Sequence, residues 1–341
     1  MIDEKANRDY AIDIARGIAI ILVVVGHTAA PLSFPNHLAF SVHLPLFFFL
    51  SGFLMKAERY SFWEYAKKRA FRLLLPYFIF AFVSACKNSS NFPMQIASAL
   101  FCSGKISSVL PQMPDQPWFL PCLFLSELVF FGLRKLERFR FGRIAEMLLS
   151  FFFSACGLFL MRVRYLPWSL DIALFVQVFL FAGLLFRQSG FLKRSVSVRA
   201  TSFFLFASIW VGVIVLTYCR EDAYRYVVSL NERQVSLISL GVSFAGMFAV
   251  LCFSSLLGQI RFLRAPFAYF GKISIVVYLF HLSGFSSDFL AAHWLLNALV
   301  RLAYSAAIAE LFRLIPVISG IYGLPPRFQK KGLLSPRALG V

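Results

Sequence analysis

Residues 13–27 read DIARGIAIILVVVGH, an apolar helix that carries an acid, a base and a histidine. Such side chains are rare inside membrane-spanning helices and usually face a bundle interior or a wet cavity. At 100° per residue, Arg16 and His27 lie about 20° apart around the helix, and Asp13 lies within roughly 60° of both. The stretch therefore predicts a membrane helix with one polar stripe.

Distance along the helix axis divides this stripe into two ends. Eleven residues at 1.5 Å per residue put His27 about 16 Å beyond Arg16. Asp13 and Arg16 are three residues apart and can pair with each other. Neither of them can touch His27.

The rest of the chain is also strongly apolar. Of its 341 residues 59% are hydrophobic, including 42 Phe, which exceeds the apolar share of soluble domains. An all-α polytopic membrane protein is predicted, so the net charge of +18 does not indicate a nucleic-acid partner. The six cysteines show no CxxC or metal-ligand spacing, and no metal is expected.

Apolar stretches near 20 residues long predict about ten transmembrane helices. The predicted spans are 10–30, 38–55, 71–86, 118–133, 144–161, 168–186, 200–219, 235–257, 266–285 and 291–316. We expect no cleaved signal peptide, because acidic residues precede the first span and no small-residue cleavage site follows it.

The distribution of Lys and Arg predicts the orientation of these spans. The N-terminus, the even-numbered connections and the tail carry 25 of these residues, whereas the odd-numbered connections carry 7. Positive charge marks the cytoplasmic side, so both termini are predicted to be cytoplasmic. The chain then divides into a cytoplasmic N-terminus (1–9), a membrane domain (10–318) and a basic cytoplasmic tail (319–341).

In this orientation Asp13 and Arg16 lie near the cytoplasmic end of span one, and His27 lies deep in its outer half. A neutral histidine can act as a general base, which typically contributes about 10²–10⁴-fold to a rate. The alternative is a structural histidine that bonds to a neighbouring helix. His43 lies at the start of HLPLFFFLSGFL (43–54), at the outer mouth of span two. It could contact an acceptor, or it could be a polar residue at the membrane–water interface.

A cluster of basic residues follows span two in KRAFRLLLPY (68–77). Arg69 and Arg72 are three residues apart and share one helical face. Guanidinium groups bind phosphate bidentately, so the pair suits a phosphorylated cytoplasmic ligand. The alternative is ordinary positive charge attracted to anionic lipid.

Two later spans also carry ionisable residues. Glu127, at the end of WFLPCLFLSE (118–127), lies about 13 Å inside its span and needs a partner: it could orient His27 or pair with an arginine. His281, at the end of GKISIVVYLFH (271–281), is predicted at the depth of His27. It could supplement His27 at an acceptor site or be a structural histidine.

Five motifs together resemble the membrane acyltransferase-3 family, within it the fucose 4-O-acetylase-like branch of glycan O-acetyltransferases. They are DIARGIAIILVVVGH (13–27), HLPLFFFLSGFL (43–54), the Arg-x-x-Arg of KRAFRLLLPY (68–77), WFL (118–120) and GKISIVVYLFH (271–281). The first three are fairly specific in order and spacing, and the last two are weaker. Residues 140–260 match only in hydrophobicity.

The resemblance implies transfer of an acyl group, usually acetyl from acetyl-CoA as co-substrate, to a sugar hydroxyl. The family's essential histidine corresponds to His27, its span-one arginine to Arg16, and its cytoplasmic pair to Arg69 and Arg72. Acetyl-CoA would dock from the cytoplasm, with Asp13 and Arg16 shaping the donor entrance or with Arg16 touching the donor directly. The implied acceptor is a glycan or lipid-linked sugar, and the implied location is the bacterial inner membrane.

Two alternatives remain from the sequence. Intramembrane charges and ten spans also suit a transporter or flippase for a lipid-linked sugar or small solute, although no repeated halves are visible. The same fold could also carry another acyl group or use another acceptor.

Overall fold

The computed structural model describes residues 4–31, 33–87, 91–104, 106–108, 110–163, 165–218, 235–283, 289, 292–325 and 327. Within these ranges the protein is all-helical and contains no strand. The α-helices are α1 (Glu4–Thr28), α2 (Phe34–Phe40), α3 (His43–Leu54), α4 (Phe62–Lys87), α5 (Phe92–Phe101), α6 (Phe119–Arg134), α7 (Gly142–Val163), α8 (Leu170–Phe175), α9 (Gln177–Ser189), α10 (Val196–Tyr218), α11 (Leu237–Leu257), α12 (Arg261–Lys272), α13 (Ser274–Phe280), α14 (Trp294–Leu314) and α15 (Pro316–Ile321).

Several of these helices are long and apolar enough to cross a membrane. In the described part of the chain seven qualify singly, counting α2 and α3 together, and up to nine qualify if each of two bent pairs is one span. The pairs are α8 with α9, bent by 50°, and α12 with α13, bent by 61°. Each predicted span overlaps one of these helices or α6, which is shorter at 16 residues. The protein is thus a multi-pass membrane protein, while the count of ten and the orientation remain predictions.

Helix α1 lies at the centre of the bundle, where it contacts α2, α3, α11, α12, α13 and α14. Its approach to α12 is a backbone contact made possible by two glycines. A Cβ at Gly17 would lie 1.9 Å from the carbonyl oxygen of Phe267, and one at Gly271 would lie 2.0 Å from that of Asp13. Small residues of this kind let membrane helices pack closely.

A second glycine contact joins α3 to α9. A Cβ at Gly52 would lie 1.9 Å from the carbonyl oxygen of Leu180. Gly52 belongs to the small pair Ser51-Gly52, and small residues let a neighbouring membrane helix approach closely. Pro45 lies in the first turn of α3, where its missing N–H does no harm.

A buried ionic network closes the bundle at the α6–α7 end. The Arg134 guanidinium, 2% exposed, lies 3.0 Å from a carboxylate oxygen of Glu146, which is 1% exposed. It also pairs with Glu58 at 3.0 Å and Glu137 at 2.5 Å. Nearby, Lys135 donates to the carbonyl oxygens of Ala57 and Tyr60. One arginine therefore joins α6 and α7 to the segment after α3.

We expect Arg134→Ala to destabilise the folded protein by ~3–5 kcal/mol, because it leaves the Glu146 carboxylate buried without its partner. The apparent Tm of the purified protein in detergent measures this effect. Arg138→Ala is the matched control, since Arg138 is exposed and lies over the ring of Phe139. Equal losses of Tm in the two variants would contradict a structural role for the network.

Candidate active site

Helix α1 runs without interruption from Glu4 to Thr28, so it holds its polar residues at two separate levels. Arg16 faces a cavity at one level, and His27 lies in the last turn, about 16 Å further along the axis.

The cavity around Arg16, here called the central cavity, has a volume of about 200 Å³. Its walls come from α1, α3, α4, α6, α12, α13 and the turn after α15. Four basic side chains line it: Arg16, Arg69, Arg72 and Lys272. The remaining wall is largely apolar, with Ile20, Leu44, Phe47, Leu50, Phe119 and Leu123 among its residues. A cavity of this composition suits an anionic group joined to an uncharged arm.

Carboxylates pair with two of these four cations. Asp13 lies 3.8 Å from the Arg16 guanidinium, which confirms that the two can pair. Arg69 makes a two-pronged ion pair with Glu127, whose side chain is 2% exposed. The hydroxyl of Tyr65 also donates to Glu127, at 3.3 Å.

The structure therefore decides between the two partners considered for Glu127. Its described contacts are with Arg69 and Tyr65, so it pairs with an arginine rather than orienting His27. A contact of Glu127 with the reacting groups remains a prediction. In the fold, this carboxylate neutralises part of the cationic wall and positions Arg69.

The other two cations of the central cavity are not neutralised in this way. Among the described residues, neither Arg72 nor Lys272 has a carboxylate within ion-pair distance. Arg72 is exposed, and Lys272 ends α12 beside Gly271. These two side chains are the ones available to an anionic ligand.

Tyr322 adds a hydroxyl to the same cavity, from the turn after α15. Burial raises the pKa of Tyr322, so its phenol stays protonated near neutral pH and can donate a hydrogen bond. Sequence reasoning did not single out Tyr322 or Lys272. Lys272 is the second residue of GKISIVVYLFH (271–281), but its place beside Arg16 and Arg72 in the central cavity depends on how α12 packs.

The outer end of α1 contains a group of histidines. The ring centroids of His27 and His281 are 5.0 Å apart in an edge arrangement, which confirms that the two share one depth. His27 is exposed, whereas His281 is 3% exposed. The prediction of depth treated residues 266–285 as a straight span. The bend of 61° between α12 and α13 shows that this span is not straight.

Backbone hydrogen bonds determine which ring nitrogens are free. The Nδ1 of His27 lies 2.8 Å from the carbonyl oxygen of Val23, and that of His281 lies 2.9 Å from the carbonyl oxygen of Tyr278. A carbonyl only accepts, so in the neutral ring Nδ1 carries the proton and Nε2 carries the lone pair. The Nε2 of His281 is buried and has no partner among the described residues. Both rings can thus accept a proton or hydrogen bond at Nε2.

His43 is not at an open mouth. It is 2% exposed, and its Nδ1 bonds to the carbonyl oxygen of Ala39 at 2.7 Å. Its ring packs edge-on against Phe40, which in turn packs against His27. His43 therefore supports the wall behind His27.

Arg301 was not assigned to the site from sequence, although an arginine inside an apolar span is the same signal that marks Arg16. Its guanidinium donates to the carbonyl oxygen of His281 at 2.6 Å and to the side chain of Asn297 at 2.8 Å. It thereby holds the end of α13 against α14. The histidine pair consequently has a fixed cationic neighbour.

Tyr278 connects the two ends of the site. It lines the central cavity, and its ring centroid is 6.4 Å from that of His281. Its hydroxyl accepts a hydrogen bond from the backbone N–H of Phe119 at 3.1 Å. The central cavity therefore reaches a side chain that contacts the histidine pair.

Similarity to known proteins identifies the family of this chain. The acyltransferase-3 family model, described as an acyltransferase domain, matches residues 9–313. The chain therefore belongs to the acyltransferase-3 family, and residues 9–313 form its acyltransferase domain. The chain is also similar to nodulation protein NolL of Mesorhizobium japonicum, with 26% identity over 260 residues. The match covers 71% of this chain and 65% of NolL.

The Arg69–Glu127 pair yields a test of coupling. We expect Arg69→Gln and Glu127→Gln each to lower stability, and the double variant to lose less than the two effects summed, with a coupling of about 0.5–3 kcal/mol. Thermal unfolding of the four proteins in detergent measures the coupling. Tyr65→Phe, which removes only one hydrogen bond to Glu127, is the control. Strictly additive losses would mean that the pair contributes no interaction of its own.

Proposed function

We propose that this protein transfers an acetyl group from acetyl-CoA to a hydroxyl of a glycan or lipid-linked sugar, with His27 as the general base. The observation that carries the proposal is the arrangement along α1. A cationic cavity lies at one level, and an exposed histidine lies at the other, with Tyr278 between them.

Charge supports the assignment of the donor end. Phosphate groups bind cations through charge-assisted hydrogen bonds. Arg72 and Lys272 have no carboxylate partner in the described part of the chain, so they are available to the phosphates of acetyl-CoA. Arg16 and Arg69, each paired with a carboxylate, complete the cationic wall.

The pantetheine arm fits the apolar part of the central cavity. Ile20 lies one turn above Arg16 on α1, and Phe119 and Tyr278 line the side of the cavity nearer the histidines. The arm would extend from the cationic wall past these residues and present the thioester near His27. Held in this way, the reacting groups meet in one orientation, which reduces the entropic cost of reaction.

At the outer end, the lone pair on Nε2 of His27 takes the proton of the acceptor hydroxyl as its oxygen attacks the thioester carbonyl. The new C–O bond forms, the C–S bond breaks, and coenzyme A leaves as a thiolate. The proton on Nε2 then passes to that sulfur, which restores the neutral histidine. His281, with its own free Nε2, accepts a hydrogen bond from the acceptor and holds it against His27.

The proposed setting is the bacterial inner membrane, with ten spans and both termini in the cytoplasm. The cationic wall would then face the acetyl-CoA supply, and the histidines would face the exported glycan. Lipid surrounds the exposed apolar faces of α7, α10 and α14, whose side chains are largely unburied.

The central test is His27→Ala in cells whose own copy of the gene is deleted. We expect O-acetylation of surface glycans, measured by mass spectrometry, to fall by about 10²–10⁴-fold because the general base is lost. His293→Ala is the matched control, an exposed histidine whose described ring contact is with Phe289. Retained acetylation with a correctly inserted His27→Ala protein would rule out the general-base role.

The same experiment separates the alternatives. If the glycans carry an acyl group other than acetyl, and this group is lost in the His27→Ala strain, then the proposed chemistry holds with a different acyl donor. Loss of glycan export with unchanged acylation would instead indicate a transporter or flippase.

Arg72 gives a cleaner test of donor binding than Arg69, because Arg72 has no carboxylate partner to leave unpaired. We expect Arg72→Gln to raise the KM for acetyl-CoA about tenfold and to leave kcat nearly unchanged, as for a lost contact made equally in ground and transition states. Initial rates against acetyl-CoA concentration measure this effect. Arg143→Gln, which changes an exposed arginine on α7, is the control. An unchanged KM would mean that Arg72 does not bind the donor and contributes only positive charge on the cytoplasmic side.

A further inference from the structure

A second cavity lies beside the central one, with a volume of about 390 Å³. We call it the basic pocket. It lies between α12, the start of α1, the end of α14 and the chain that follows α15, and its charged lining residues are Arg261, Arg264, Lys272 and Arg313. Two tyrosines, Tyr10 and Tyr269, also line it.

One face of α12 forms most of the basic pocket. Its lining positions 261, 264, 265, 268, 269 and 272 recur at three- and four-residue spacing, which places them along one side of a helix. Ala265 and Ala268 are small and leave room between the cations at the two ends of this face. The result is a recess bordered by charge along the whole helix, which is about 18 Å long.

The charge in this pocket is largely uncompensated. Arg313 pairs with Glu310 at 2.8 Å and donates to the carbonyl oxygen of Pro325. By contrast, Arg261, Arg264 and Lys272 have no carboxylate partner among the residues that the structure describes. The Arg264 guanidinium is held over the ring of Tyr10, 4.3 Å from its centroid. A stacked guanidinium keeps its N–H groups available to an anion.

Lys272 lines both the basic pocket and the central cavity, so the two spaces adjoin at this side chain. A molecule that extends past Lys272 would place a polyanionic head in one space and an uncharged arm in the other. Arg72 and Lys272 are the only two unneutralised cations of the central cavity among the described residues. They are too few for a head group with several phosphates.

We propose that the basic pocket binds the adenosine 3′-phosphate end of coenzyme A, while its pyrophosphate lies at Lys272 and Arg72. This inference rests on the proposed function, since it extends the donor site. Each phosphate monoester carries about −1.5 to −2 charge near pH 7, which Arg261 and Arg264 would meet with bidentate hydrogen bonds. The rings of Tyr10 and Tyr269 supply aromatic surface for the base.

A phospholipid headgroup shares this phosphate chemistry, so the experiment must separate the two sources. The full-length protein is placed in phosphatidylcholine nanodiscs, and the affinity of coenzyme A is compared with that of 3′-dephospho-coenzyme A by calorimetry. We expect coenzyme A to bind at least tenfold more tightly. The preference should persist when phosphatidylglycerol is added to the nanodiscs.

The double variant Arg261→Gln/Arg264→Gln should reduce the affinity for coenzyme A at least tenfold and leave the affinity for 3′-dephospho-coenzyme A nearly unchanged. Arg138→Gln/Arg140→Gln is the matched control, because these two arginines also lie over aromatic rings, outside both cavities. The comparison of the two ligands on the unaltered protein needs no variant to fold.

Equal affinity for the two ligands in the unaltered protein would overturn the assignment of the 3′-phosphate. Loss of the preference on addition of phosphatidylglycerol would also overturn it and assign the pocket to lipid. A preference for coenzyme A in a protein that transfers no acyl group would support the pocket and reject the proposed function. If the protein transfers an acyl group but the double variant leaves the affinity for coenzyme A unchanged, the proposed function is supported and the role of the basic pocket is rejected.

Discussion

The backbone contact between α1 and α12 is the constraint on which both ends of the site depend. Gly17 and Gly271 let the two helices touch through main-chain atoms. Each glycine is next to a cation, Arg16 on one helix and Lys272 on the other, so the contact that brings the backbones together also brings these charges to one cavity. A larger side chain at either glycine would push α1 and α12 apart, and would thereby move Arg16 away from Lys272. Because α13 follows α12 after a bend, the same contact also directs His281 toward His27.

The distribution of carboxylates then decides which charges remain available. A cation buried in an apolar bundle is costly unless it is paired, and the pairs of Arg16 with Asp13 and of Arg69 with Glu127 meet that need. Arg72, which is exposed, has no such partner among the described residues. The site thus separates side chains that build the wall from side chains that can meet a ligand. At the other end no carboxylate contacts the histidines in the described residues, and their Nδ1 atoms are oriented by helix carbonyls alone.

Much of the fold and part of the site follow from sequence. Runs of apolar residues locate the helices, and the spacing of Arg16 and His27 on one helix determines that they lie at different levels. The pairing of Asp13 with Arg16 and the common depth of His27 and His281 were predicted in this way and are observed. The bend between α12 and α13 was not, because hydropathy measures apolar length and carries no information about direction. The short helix α6 was likewise read as an ordinary span, although its 16 residues only approach the length that a membrane requires.

The sequence by itself determined an all-helical membrane protein with a cationic end and a histidine end on its first span, since helical periodicity and apolar length are local properties of the chain. Only the tertiary structure decided the partners of each charge. Arg69 and Glu127 are 58 residues apart along the chain, and the sequence offered Glu127 either a histidine or an arginine. The roles of Lys272, Tyr278 and Arg301 likewise depend on contacts between distant helices. Helix packing sets those contacts, and through them residues 13–27 reach a cationic cavity at one end and a second histidine at the other.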